Sequence, residues 1–176
     1  MTPPPNHSHL NQTKFISTKS TFNEDSYNQA WEIDEIKKDR TIKDLKYKVK
    51  TSYALNGSRS DAINIIKLFY KYYSKVIEKS FTNNPIDSKK IISSYSELTD
   101  RVIESIIYTC EEVFLQQSTK NKLEKFSVLS VGGYGRGQMA PYSDVDILFL
   151  VPTKITVRIT SIIETTLYIL WDLKLK

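Results

Sequence analysis

A chain of 176 residues with 40% hydrophobic content can bury one modest core, and no internal repeat divides it. No run approaches the roughly 18 uninterrupted apolar residues of a membrane span, and Met1-Thr2-Pro3-Pro4-Pro5 has no apolar signal core, so a cytoplasmic protein with no membrane partner is expected. The net charge of +5 comes from lysines scattered among acids, not from one dense patch, so nucleic acid is not an expected partner.

Residues 1–25 are polar, proline-bearing and without periodicity, which predicts a disordered tail; His7 and His9 lie inside it and suggest no metal site. From Trp31 to Lys50 a charged helix is predicted, with sparse apolar positions at Ile33, Ile36, Ile42, Leu45 and Val49. Ser58 to Ser60 offers a cap for a long second helix carrying Ile63, Ile66, Phe69, Tyr73 and Ile77, which Asn83-Asn84-Pro85 ends. Ser94 with Glu97 matches a capping box, which predicts a third helix from there through Leu98, Val102, Ile106, Cys110 and Phe114. Cys110, the single cysteine, falls on that apolar stripe and is expected to be buried packing, not a nucleophile. The helical region is thus placed at residues 26–120.

Phe126 to Val131 is short, apolar and β-branched and stops at Gly132, as a buried strand would. Four of the five glycines follow within Gly132-Gly133-Tyr134-Gly135-Arg136-Gly137. Bare backbone at a strand end lets amides approach an anion, and the Arg136 guanidinium suits phosphate. After a spacer containing Ser143, Asp144-Val145-Asp146 opens a second apolar run, Ile147 to Val151, which ends at Pro152. Strand alternation puts Asp144 and Asp146 on one face, roughly 7 Å apart at about 3.3 Å of rise per residue. Two carboxylates at that spacing suit Mg²⁺, which takes few carboxylates and completes its shell with water and substrate phosphate. Ile155, Ile159, Ile162, Ile163, Leu167 and Trp171 mark a final helix.

Two other glycine motifs fail on the same residues. Gly132 to Gly137 satisfies the P-loop spacing, but Gln138-Met139 stands where lysine and a hydroxyl residue are needed. Gly135 to Ala140 satisfies a dinucleotide pattern, but Pro141 cuts the helix that pattern requires.

The string from Val131 to Leu150 resembles the signature of the bacterial PII uridylyltransferases, the bifunctional uridylyl-transferring and uridylyl-removing enzymes of the DNA polymerase beta-like nucleotidyltransferase superfamily. Leu170-Trp171-Asp172-Leu173 is similar to the same family, while Gln138 and Met139 stand where it more often has Glu and Leu. The resemblance implies an α+β fold in which N-terminal helices precede an incomplete nucleotidyltransferase mixed sheet at 121–176. It implies transfer of UMP from UTP to a tyrosine of the PII signalling protein. Asp144 and Asp146 would be the catalytic, Mg²⁺-holding pair, and Gly132, Gly133, Arg136 and Ser143 would contact nucleotide. The superfamily's third carboxylate finds no convincing counterpart, since Glu164 and Asp172 fall on the final helix, so a truncated, weakly active or inactive N-terminal portion is expected. Another acceptor, as in glutamine synthetase adenylylation, and a non-catalytic interaction fragment remain open.

Overall fold

The computed structural model describes residues 39–83, 87–114 and 125–175. The expected tail, His7, His9, the start of the first expected helix at Trp31, Ile33 and Ile36, and the Asn84-Pro85 turn lie outside the described residues.

Helix α1 spans Asp39–Asn56 and runs past the expected end at Lys50. It buries Ile42, Leu45 and Val49, the apolar positions of its sparse stripe. Helix α2, Arg59–Asn83, begins where the Ser58 hydroxyl accepts the Asp61 N–H at 3.1 Å, the predicted cap. Its Ile66 and Ile77 have no exposed surface.

Helix α3 spans Ser88–Tyr108 and continues as a π-helical turn over Thr109–Phe114. The expected start at Ser94 is corrected: Asp87 caps the helix seven residues earlier, its carboxylate accepting from the Lys90 N–H at 3.1 Å. Ser94 sits inside the helix and donates back to the Lys90 carbonyl at 2.7 Å, while Glu97 pairs with Arg101. A Ser-x-x-Glu string serves equally as two mid-helix residues when the hydroxyl bonds four residues back. Thr99, Ser105 and Thr109 are buried and satisfied in the same way.

Strands β1, Ser127–Ser130, and β2, Ile147–Leu150, form an antiparallel pair with Val128 opposite Phe149 and Leu129 opposite Leu148. One face carries Val128 and Ile147, which pack toward the helical core with Phe126 and Val145. The other carries Leu129, Leu148 and Leu150, left 42, 47 and 50% exposed. The buried strand expected over 126–131 is therefore half open, because among the described residues nothing covers that second face. Helix α5, Val157–Asp172, is capped by the Thr156 hydroxyl, and Ile159, Ile162 and Ile169 are fully buried.

Helices α1, α2 and α3 pack on one another, and α5 joins α3 and the π-helical turn. The result is an α+β arrangement: a helical layer with a small sheet beside it, α3 and the two strands lining a shared cleft. No helix among the described residues is long and apolar enough to cross a membrane.

Candidate active site

The two strands meet at the glycine turn. Val131, extended at φ −128°, donates its N–H to the Asp146 carbonyl at 3.0 Å, which carries the ladder one step beyond β1. The chain then winds into a single helical turn, α4, over Gly132–Gly135. The amides at its end and just beyond are spent on carbonyls of the same loop: Gly135 donates to Val131 at 2.8 Å, Gln138 to Gly133 at 3.0 Å and Gly137 to Tyr134 at 2.8 Å. Gly132 and Gly133 stand at its start, where a helical turn's amides have no partner within the turn.

Gly132 is where turn and acid meet. Its φ is +60°, and a Cβ placed on it would lie 2.4 Å from a carboxylate oxygen of Asp146. Only a residue without a side chain lets the carboxylate approach the backbone this closely. A Cβ on Gly133 would lie 4.0 Å from the Arg136 guanidinium, so that side chain folds back over the turn. Asp144 and Asp146 are both exposed, and the residues alternating with them, Val145 and Ile147, are partly buried against the core. The two acids thus share the open face that Leu148 and Leu150 continue.

Ser143 is placed differently. Its N–H donates to the Ala140 carbonyl at 3.1 Å, and it lines a cleft of about 700 Å³ shared with Lys67, Tyr70 and Lys71 of α2, not with Asp146. The structure brings together Gly132, Gly133, Arg136 and Asp146, with Asp144 on the same face and Ser143 on the helical side of the loop.

Sequence reasoning misses the anchors of this loop. Tyr134, 5% exposed, donates its phenolic O–H to Asp100 of α3 at 2.5 Å. Burial first, then the Asp100 carboxylate, pushes that phenol far up, so it stays a donor. Met139, also buried, donates its N–H to the Ser96 hydroxyl at 3.2 Å. The available signal is that Ser96 and Asp100 are four residues apart on a helix otherwise patterned for burial.

Among the described residues no third His, Cys, Asp or Glu joins the pair to make a metal-binding cluster. Glu164 lies by a small cavity with Arg59 and Cys110, and Asp172 is ion-paired with Lys67. Cys110 is packing, as expected: burial pushes its thiol up to about 11. An exposed carboxylate pair beside bare backbone fits Mg²⁺, which tolerates two protein carboxylates when water and phosphate supply the remaining ligands.

The nucleotidyltransferase domain family matches residues 110–174, beginning upstream of the boundary expected at 121. A bifunctional uridylyltransferase/uridylyl-removing enzyme of Ruegeria pomeroyi is 45% identical over 100 residues, covering 57% of this chain and 11% of that protein. The enzyme of that name from Caulobacter vibrioides is 39% identical over 119 residues, covering 67% of this chain and 12% of its own length. The one from Novosphingobium aromaticivorans is 52% identical over 59 residues, 34% of this chain and 6% of its own. The chain spans roughly a tenth of the length of the curated relatives it matches, 11% for the first. No solved structure matches it.

Proposed function

We propose, from the premise that this chain carries a nucleotidyltransferase domain and belongs with the bifunctional uridylyltransferase/uridylyl-removing enzymes, a transferase family, that it supplies the nucleotide-binding part of a uridylyl transfer. The donor is UTP and the acceptor a tyrosine of the PII signalling protein. The tyrosine oxygen bonds to the α-phosphorus, the bond to the β-phosphate breaks, pyrophosphate leaves and the hydroxyl proton is released. The reading places the protein in the cytoplasm, with its nucleotide.

The observation that carries this reading is the contact of Asp146 with Gly132, where no Cβ would fit. A carboxylate against naked backbone at a strand end is costly to arrange for a plain turn and useful for holding a cation beside a phosphate. Asp144 and Asp146 would hold Mg²⁺, which when bound neutralises phosphate charge. Gly132 and Gly133 let the backbone approach the triphosphate, and Arg136 adds a fork of donors near the turn. Catalysis by such a site is positioning and charge neutralisation. Ser143, which lines the cleft beside α2, would act through the shape of the loop and not as a direct nucleotide contact.

Calorimetry of UTP with the 176-residue chain tests the site directly. Binding is expected only with Mg²⁺ present, and Asp146→Asn is expected to weaken it at least about tenfold, or about 1.4 kcal/mol. Equal affinity in the variant would remove the metal role. In the enzyme that contains this segment, PII is expected to gain UMP on a tyrosine, and less of it with Asp146→Asn. Labelling from ATP in preference to UTP would instead favour an adenylylating relative.

A further inference from the structure

We propose that Tyr134, Asp100 and Ser96 are positioning residues through which helix α3 sets the glycine turn against Asp146 and so tunes nucleotide affinity. The affinity part of this inference rests on the function proposed above; the positioning part does not.

The turn needs an outside anchor. Glycine is the most permissive backbone, and a segment built of Gly132, Gly133, Gly135 and Gly137 has little intrinsic reason to keep one shape. Tyr134 sits between two of these glycines, and its ring and Met139 are both buried in the helical core cluster. Each has a polar tie to the same face of α3. The Tyr134 O–H donates to Asp100 at 2.5 Å, and the Met139 N–H donates to Ser96 at 3.2 Å. Ser96 and Asp100 are one helical turn apart, so a single rigid element grips the loop at two points. Ser96 also donates to the Ile92 carbonyl at 3.2 Å, which aims its lone pair outward at the loop.

The geometry downstream is tight. Gly132 lies two residues before Tyr134, and the space a Cβ would need on it is taken by the Asp146 carboxylate at 2.4 Å. A small swing at Tyr134 therefore changes the distance between bare backbone and acid. The tie is charge-assisted and partly shielded from water, the class of hydrogen bond that fixes geometry best.

Hydrogen exchange of the 176-residue chain separates positioning from nucleotide coupling. Tyr134→Phe removes one hydroxyl and keeps the buried ring. It is expected to raise exchange at the amides of Gly135, Gly137 and Gln138 about tenfold, leaving the α3 amides from Leu98 to Ile106 unchanged, and to weaken Mg²⁺-dependent UTP binding about tenfold. Asp100→Asn, whose side-chain oxygen still accepts but without the charge, is expected to move both measurements in the same direction as Tyr134→Phe and by less. Ser96→Ala provides a second loosening of the same loop should the Phe variant fold poorly. Unchanged exchange at the turn in Tyr134→Phe and Ser96→Ala, or an equal rise throughout α2 and α3, would overturn the positioning role. A looser turn with unchanged UTP affinity in a chain that binds UTP would overturn the coupling. A parent chain that binds no UTP at all would sink the proposed function, while the exchange measurement would still decide the positioning role.

Discussion

Replacing Gly132 by alanine imposes two costs that a second variant can separate. The first is conformational: at φ +60° an L-residue is disfavoured by roughly 1–2 kcal/mol. The second is local: the new Cβ would sit 2.4 Å from an Asp146 carboxylate oxygen, well inside van der Waals contact, so the acid must move away from the turn. Gly57, between α1 and α2, has nearly the same backbone at φ +62° with nothing within 4 Å of its missing Cβ. Gly57→Ala therefore carries the first cost alone. Both variants are expected to lose about 2–8 °C in Tm, at roughly 2–4 °C per kcal/mol for a chain of this size. Only Gly132→Ala is expected to weaken Mg²⁺-dependent UTP binding, by at least about tenfold, measured by calorimetry well below either midpoint. Wild-type affinity in Gly132→Ala, or an equal loss in Gly57→Ala, would refute the claim that the glycine exists to admit the carboxylate.

The remaining expectations concern the scaffold. Thr156→Ala removes the hydroxyl that accepts the Ile159 N–H at the start of α5 and is expected to cost about 1 kcal/mol in urea unfolding. Ile106→Ala, in the fully buried stripe of α3, is expected to cost about 2–5 kcal/mol. Leu148→Thr, on the open sheet face, is expected to stay within about 0.5 kcal/mol; a large loss there would mean that face is covered in solution. Burial raises the Cys110 thiol from its ordinary 9.0 to about 11, so the unfolded chain gives up this proton first. The contribution to stability is full below about pH 9 and lost as pH climbs toward 11. The denaturation midpoint of Cys110→Ala, measured against the parent across that window, is expected to lack this part of the decline.

The helices were readable because their burial follows a single period. Ile66 and Ile77 on α2, and Leu98, Val102 and Ile106 on α3, are apolar in sequence and fully buried in the fold. The cap at Ser58 was readable for the same local reason, whereas Ser94 was not, since a hydroxyl near a helix start and one inside a helix look alike until its acceptor is known. The burial of the strands is not legible in the same way, because β-branched content signals a strand but not how many neighbours cover it. The apposition of Gly132 and Asp146 was suggested by strand, turn and strand in succession, a local relation. The ties from Tyr134 to Asp100 and from Met139 to Ser96 span 34 and 43 residues of chain, and no local pattern announces a contact at that separation.

Those distant ties also explain how so small a sheet can hold a defined site. Two strands of four residues each have little stability of their own in water. One face of the pair is left open beside Asp144 and Asp146, so it contributes little hydrophobic burial. Rigidity must come from the other face and the loop: Val128, Val145 and Ile147 pack toward the helical core, and Tyr134 and Met139 are buried in it. The ladder itself adds only the Val131 N–H to Asp146 carbonyl bond at the point where the acid is needed. The helical layer is thus part of the site's construction, since it holds the turn while the strands hold the acids. Loosening α3 should degrade nucleotide binding before it unfolds the chain, whereas loosening α1, which makes neither of the two ties to the turn, should lower stability and affinity together.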